Sequence, residues 1–235
     1  MTPVSEPSAR KILPRQILTD AVYVDVKLLI MQGSIQPGSR INIEDVARRL
    51  DVSPTPVREA LARLESEGLV IKLPLKGYRT TELLVPEEVR ELYELRLIIE
   101  PRAAGKAAAA ITDEFAAELR AEIERGREAA KGTDYASYLE LSSHDARLHD
   151  LVLRIAGNKT IREFHGRTHW HLHTFRLTHA GPFGALTVDE HAEVAEAVAS
   201  GDTERAEAAM RNHIEGSRER MLERLRWIAA ERQTP

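Results

Sequence analysis

The fold of the front third of the chain is decided by residues 42–70, which read NIEDVARRLDVSPTPVREALARLESEGLV. Apolar side chains recur in this stretch at the spacing of a buried helical stripe, which predicts two short amphipathic helices separated by a tight turn. Asn42 and Ser53 stand where the two helices begin, and side-chain oxygens at such positions cap free backbone N–H groups. Pro54 takes the first position of the second helix, where a missing N–H costs nothing, and Gly68 ends that helix.

Two further elements complete a winged helix-turn-helix domain. A helix is predicted over residues 19–33, and residues 69–73 and 78–81 are predicted to pair as a hairpin. In helix-turn-helix proteins the first residues of the second helix reach base edges in the major groove of DNA. Arg58 can pair bidentately with guanine, and the hydroxyl of Thr55 can reach a phosphate or a base. The alternative is an ordinary helical hairpin whose charged side chains only face water.

Charge is unevenly distributed along the chain. The net charge is −4, which by itself argues against a nucleic-acid partner. Residues 1–81 nevertheless carry 12 Lys and Arg against 9 Asp and Glu, a net charge of +3. That leaves 21 of the 33 basic and 28 of the 37 acidic residues, a net charge of −7, to residues 82–235. The positive charge that contacts with DNA phosphates require therefore lies in the predicted DNA-binding part.

Composition excludes several classes of site. The chain has no cysteine, so disulfides, thiolate metal sites and cysteine nucleophiles are excluded. No apolar run approaches the length of a membrane span, and the N-terminus lacks the apolar region of a signal peptide. We therefore expect a soluble, cytoplasmic protein that does not contact a membrane.

The fold is expected to be mainly α-helical and to divide into two domains. Residues 1–11 are predicted to be a disordered tail, residues 12–81 the winged helix-turn-helix domain, residues 82–85 a linker, and residues 86–230 an antiparallel all-α bundle. The bundle helices are predicted to begin at Pro86, Thr112, Asp134, Thr160, Thr187 and Asp202. The fourth is expected to reach His179, and Thr187 and Glu190 are expected to form a capping box on the fifth.

Histidines concentrate in the predicted bundle and suggest a metal site. Asp145 and His149 are four residues apart in one helix and so share a face. His191 and His213 lie ten residues before and twelve after Gly201, so they stand at nearly the same height in an antiparallel helical hairpin. One carboxylate and three imidazoles suit a divalent metal ion, zinc first and otherwise nickel, manganese or iron. Taken singly, each histidine is as well explained as a hydrogen-bonded core or surface residue.

A second run of histidines competes with this set. His165, His169 and His173 recur every four residues along one predicted helix face. A second metal site is one interpretation, but the run lacks an acid and a partner on another helix. Lining a cavity or a subunit interface is the simpler role.

Arginines in the bundle are candidates for binding an anionic ligand. Arg96 lies among apolar residues of the first bundle helix, and a buried arginine needs an anionic partner. That partner is either Glu100, one turn away, or the carboxylate of a bound ligand. Arg147 and Arg176 are weaker candidates.

Both halves of the chain resemble one known family. The run VSPTPVREAL followed by LESEGLV is similar to the signature of the GntR family of bacterial transcription regulators. Residues 145–149, 190–191 and 211–214 resemble the ligand motifs of the FCD effector domain, the helical half of the FadR branch of that family. The resemblance covers roughly residues 15–225.

The resemblance implies roles for individual residues. It places DNA contacts on the recognition helix at Ser53, Thr55 and Arg58, and just before the helix pair at Arg40. It also places Lys76 and Gly77 at the tip of the wing, which enters the minor groove in the family. Family members often have arginine where this chain has Pro54, which is expected to change one base contact and the operator sequence. In the FCD domain a metal lies in a central cavity and a small organic acid binds beside it. The residues that match are Asp145, His149, His191 and His213 for the metal and, by analogy, Arg96 for the effector.

The residues and the resemblance together predict a metabolite-responsive transcription regulator and not an enzyme. Repression is favoured over activation. A homodimer would bind a pseudo-palindromic operator in double-stranded DNA, with each recognition helix reading one half-site. A small carboxylate effector would bind the bundle and change the spacing of the two DNA-binding domains. Two alternatives stay open: a metal-dependent enzyme with an appended DNA-binding head, and an architectural DNA-binding protein with a structural metal.

Overall fold

The computed structural model describes residues 15–178 and 184–231. The predicted tail, residues 1–11, and the predicted helix end at His179 lie outside the described residues. The chain divides into two compact units between Thr81 and Glu82, where the predicted linker begins. Within the described ranges no helix is both long and apolar enough to cross a lipid bilayer.

The first unit has the architecture of a winged helix-turn-helix. It consists of α1 (Arg15–Met31), β1 (Arg40–Ile41), α2 (Ile43–Arg49), α3 (Pro54–Ser66), β2 (Val70–Leu73) and β3 (Gly77–Thr80). The strands form an antiparallel sheet in the order β1-β3-β2, with Leu73 opposite Gly77 at the hairpin end. Strand β1 was not predicted because two residues carry too little alternation to be recognised.

One of the two expected helix caps forms, and the apolar stripe of the second helix is buried as expected. Asn42 caps α2, and its side-chain oxygen accepts hydrogen bonds from the backbone N–H groups of Glu44 at 3.1 Å and Asp45 at 3.5 Å. Ser53 stands at the start of α3, but its side chain makes no capping bond. One reason is that Pro56, at the third helical position, has no N–H to donate. The predicted stripe of α3 is fully buried and comprises Val57, Ala60, Leu61 and Leu64.

The second unit is all α-helical in its described residues. It consists of α4 (Pro86–Ala109), α5 (Asp113–Lys131), α6 (Tyr135–Ile155), α7 (Lys159–Gly166), α8 (Trp170–Thr178), α9 (Gly184–Ala199) and α10 (Thr203–Glu231). Helix α4 packs along α10, and α5 packs against α6 and α9. The core between them is built from aliphatic residues and alanines, which allow the helices to approach closely.

Two predicted helix boundaries in this unit are wrong. The helix expected from Thr160 to His179 is broken into α7 and α8, with His169 between them in a left-handed conformation at φ 45°. Helix α9 begins at Gly184, so Thr187 lies inside the helix and the expected capping box does not form. The Glu190 side chain instead bonds to His213 and Arg220 on α10, a tertiary contact that helical spacing does not reveal.

Candidate metal centre and DNA-binding surface

Four side chains from three helices converge inside the second unit. Asp145 and His149 come from α6, His191 from α9 and His213 from α10, and all four are buried. One ligand atom from each lies within 4.8 Å of the others. The structure thus brings together all four residues expected as metal ligands, and we call them the ligand cluster.

Each imidazole of the ligand cluster is held through its outer nitrogen, Nδ1. His213 Nδ1 lies 2.9 Å from Glu190 Oε2, and His191 Nδ1 lies 2.9 Å from His144 Nε2. His149 Nδ1 lies 2.5 Å from Glu100 Oε2, a close contact without the alignment of a regular hydrogen bond. These anchors fix the ring orientations and leave the three Nε2 atoms facing one another.

Three of the inner atoms of the cluster lack hydrogen-bond partners. Among the described residues none satisfies Asp145 Oδ2, His191 Nε2 or His213 Nε2. His191 Nε2 lies 3.3 Å from Asp145 Oδ1. If each Nδ1 carries the ring proton, each Nε2 presents a lone pair, and acceptors then face acceptors across a buried space. Such unsatisfied groups are rare in proteins, and a cation at this point would satisfy all of them.

Electrostatics hold the cluster in the protonation states that ligate metals. Burial alone would raise the pKa of Asp145, but hydrogen bonding to His191 and the nearby positive groups lower that pKa below its usual range. Burial lowers the pKa of His191 to about 3, with repulsion from His213 acting in the same direction. Burial also lowers the pKa of His149. At neutral pH Asp145 is therefore a carboxylate and His149 and His191 are neutral imidazoles, the forms that bind divalent ions.

Arg96 pairs with Glu100, one of the two anionic partners expected for it. Its Nε lies 2.6 Å from Glu100 Oε1 within a pair whose side chains are 1% and 2% exposed. The guanidinium carbon lies 3.5 Å from the ring centre of Trp170, and Nη2 lies 3.4 Å from His149 Nε2. Its Nη1 has no hydrogen-bond partner within the described part of the chain. Arg96 therefore lies against one side of the cluster, paired with Glu100.

A cavity of about 80 Å³ adjoins the ligand cluster. Asp145 and His144 form part of its wall, and Arg96 does not. Most of the wall is aromatic or aliphatic, contributed by Tyr93, Tyr138, Leu141, Trp170, Phe175, Val188 and Met221. Its polar groups include the Tyr93 and Ser217 hydroxyls, 2.8 Å apart, and Arg220, which is paired bidentately with Glu190 at 2.6 Å. The volume is enough for several water molecules or a small organic molecule.

The second histidine run does not form a ligand set. His165 Nε2 lies 3.0 Å from Glu100 Oε1. The break in the helix at His169 separates His165 on α7 from His173 on α8. Within the ranges that the structure describes, the ligand cluster is the one group of acids and histidines close enough to hold a metal. Of the weaker arginine candidates, Arg147 pairs with Glu122.

All six residues expected to contact DNA are exposed. Ser53 directly precedes α3, Thr55 and Arg58 lie in its first two turns, and Arg40 lies on β1. Lys76 and Gly77 lie at the end of the hairpin. Arg58 makes one 3.5 Å contact with Glu44, in which both side chains are more than half exposed. So exposed a contact is weak and is readily exchanged for a contact with DNA.

Some residues beside the expected DNA contacts and beside the ligand cluster were not identified from the sequence. Arg79 lies directly opposite Arg40 across β1 and β3, and both are exposed. Like charges placed in this way destabilise a sheet unless an anion lies between them. The alternation of β3 could have revealed Arg79. Nothing local could have revealed His144 or Glu122 as supports of the cluster, because their contacts join residues on different helices.

Comparison with known proteins identifies both units. Residues 18–79 match the family described as bacterial regulatory proteins, gntR family, and residues 91–216, more than half of the chain, match the FCD domain. The HTH-type transcriptional regulator YdhC of Bacillus subtilis (strain 168) is 27% identical over 195 residues, which cover 82% of this chain and 85% of the relative.

Two further comparisons agree. The HTH-type transcriptional repressor RspR of Escherichia coli (strain K12) is 25% identical over 206 residues, covering 86% of this chain and 88% of the relative. The structure of E. coli McbR/YncC shares the fold, with a TM-score of 0.66 at 20% identity over 88% of this chain and 97% of that chain. YdhC and RspR are both named as transcription regulators and not as enzymes. The chain therefore belongs to the gntR family of bacterial transcription regulators, with a helix-turn-helix DNA-binding domain followed by an FCD domain.

Proposed function

We propose that this regulator is a metabolite-responsive, sequence-specific repressor whose FCD domain binds a divalent metal ion, zinc in the first instance, and a small organic acid. The observation that carries the proposal is the ligand cluster, in which one carboxylate and three anchored imidazoles direct acceptor atoms at one buried point. The description of the E. coli relative as a repressor supports the direction of regulation.

The donor set fits a divalent metal. Asp145, His149, His191 and His213 would hold the ion, and an ion held by four protein ligands or fewer can accept an oxygen from a ligand as well. Asp145 lies in the cavity wall, so we infer that an open coordination position would face the cavity. The metal would supply a positive centre for an acid group. Nickel, manganese and iron suit the same ligands.

The cavity is the proposed effector site. A carboxylate could reach the metal beside Asp145, while the aromatic wall would enclose the rest of the molecule. Arg96 does not line the cavity, but its Nη1 is buried without a partner among the described residues. We propose that Arg96 contacts the acid group where that group reaches the metal beside His149. Its ion pair with Glu100 means that it would contribute orientation more than charge.

DNA binding is assigned to α3 and the wing. We propose that Ser53, Thr55 and Arg58 read bases or phosphates in the major groove, and that Lys76 and Gly77 enter the minor groove. Arg40 and, from the structure, Arg79 would contact phosphate, which would relieve the repulsion between their side chains. Two copies of the chain would pair in the cytoplasm and bind a pseudo-palindromic operator.

The test begins with a duplex selected from a random-sequence library by the purified protein. Affinity for that duplex is measured by fluorescence anisotropy with the protein stripped of metal, loaded with Zn²⁺, and loaded with Zn²⁺ in the presence of a panel of small carboxylic acids. The proposal requires that at least one acid weakens DNA binding and does so only in the metal-loaded protein. An architectural protein with a structural metal would instead unfold when the metal is removed, and no acid would change its affinity for DNA.

A further inference from the structure

His191 differs from the other two histidines of the ligand cluster in what holds it. His149 and His213 each contact a carboxylate through Nδ1, whereas His191 Nδ1 contacts a second imidazole, His144 Nε2, at 2.9 Å. His144 is 1% exposed, and its own Nδ1 lies 3.0 Å from Glu122 Oε1. A chain of carboxylate, imidazole and imidazole thus runs from α5 through α6 to the ligand cluster.

The direction of the hydrogen bonds in this chain follows from the charge of Glu122. Burial alone would raise the pKa of Glu122, but hydrogen bonds from His144 and Arg147 lower it to about 2. An ionised carboxylate only accepts, so His144 must donate from Nδ1, and in the tautomer that carries its proton there Nε2 is an acceptor. His191 must then donate from Nδ1, which leaves the lone pair of its Nε2 directed at Asp145.

Neighbouring residues hold Glu122 and His144 in place. Arg125 and Arg147 lie 2.7 Å and 3.0 Å from Glu122 on the outer side. Gly126, on α5, lies against the His144 ring, and a Cβ added there would come within 2.6 Å of Cε1 and Nε2. Only glycine leaves room for the ring at this point, so the position of His144 depends on a residue that bears no polar group.

We propose that His144 and Glu122 are positioning residues that fix the tautomer and orientation of His191 for metal binding. The inference rests on the proposed metal site and adds to it two residues that do not touch the ion. Partners of this kind are worth about 10–100-fold in metal affinity in proteins. Loss of the His144 acceptor should therefore weaken metal binding while all four ligands remain present.

The experiment measures the Kd of Zn²⁺ for the full-length protein by competition with a chelating dye, and the visible spectrum of the Co²⁺-loaded protein. His144→Phe keeps the ring but removes both hydrogen bonds, and we expect its Kd to rise about 10–100-fold with an altered Co²⁺ spectrum. His144→Gln offers an acceptor to His191 and a donor to Glu122, and we expect it to restore most of the affinity. His173→Phe, which removes a histidine outside the cluster, should leave the Kd unchanged.

A second pair of variants leaves every histidine intact. Gly126→Ala should displace the His144 ring and raise the Kd, whereas Gly166→Ala, whose new Cβ meets nothing within 4 Å, should not. Circular dichroism and melting of the metal-free proteins report folding, and if His144→Phe does not fold, the two glycine variants decide. A wild-type Kd in folded His144→Phe overturns the inference, as does an equal loss in His144→Gln. Wild-type protein that binds neither ion would overturn the metal site and the inference together.

Discussion

Glutamine at position 100 should destabilise the helical unit far more than the loss of an exposed acid would. Glu100 lies 2.6 Å from Arg96 Nε, 2.5 Å from His149 Nδ1 and 3.0 Å from His165 Nε2. The side chains of Glu100 and Arg96 are 2% and 1% exposed, so Glu100→Gln leaves a charged guanidinium buried without its counter-ion. Removing one partner of such a pair costs about 3–5 kcal/mol.

The lower end of that range applies because glutamine still offers an oxygen to one donor. A loss of about 3 kcal/mol corresponds to a fall of about 1.5 M in the urea midpoint for a slope of about 2 kcal/mol/M. Both tryptophans of the chain, Trp170 and Trp227, lie in the helical unit, so tryptophan fluorescence follows the unfolding of that unit. The measurement uses metal-free protein, which separates stability from metal binding.

The matched control is Glu207→Gln, which breaks the ion pair with Arg102. That pair has a similar distance, 2.9 Å, but side chains that are 79% and 32% exposed. Its loss should cost less than about 1 kcal/mol. If the urea midpoint of Glu100→Gln lies within about 0.3 M of the wild type, or no lower than that of the control, the description of Glu100 as the counter-ion of a buried charge is refuted.

Three further predictions concern DNA, metal and effector. Arg58→Ala should weaken specific DNA binding by about 1–3 kcal/mol. Arg79→Ala should weaken binding to all DNA sequences alike and reduce the salt dependence of binding by about one counter-ion. Anisotropy titrations at several salt concentrations measure both effects, and an unchanged affinity in Arg58→Ala would rule out its base contact. Chelation with EDTA should lower the melting temperature of the helical unit. Adding Zn²⁺ at about 100 times its Kd should raise the free energy of unfolding by about 2.7 kcal/mol. A melting temperature that neither addition changes would argue against the site. Because the cavity wall is largely aromatic and aliphatic, acids with an aromatic or branched apolar body should raise the melting temperature of Zn²⁺-loaded protein more than polyhydroxy acids of the same size, and the reverse order would show that the cavity is not where the acid binds.

The boundaries that were predicted well are those set by neighbouring residues. Asn42 and Thr112 cap the helices that follow them, because a cap depends on backbone groups two or three residues away. The helix expected at Thr187 starts at Gly184, and the helix expected through His169 is broken there. In both places the side chains make tertiary contacts that the local pattern does not reveal, Glu190 with His213 and His165 with Glu100.

The amino-acid sequence by itself determined the helix-turn-helix and the all-helical second half, because each follows from spacing along a helix or from a short motif. Spacing together with the family resemblance also predicted the four residues that meet in the ligand cluster. Only the tertiary structure decided that Arg96 pairs with Glu100, that His144 and Glu122 stand behind His191, and that Arg79 faces Arg40. The physical reason is that periodicity states which side of a helix or strand a residue occupies. It does not state which side chain of another element will lie within 3 Å of it, since that depends on how the elements pack.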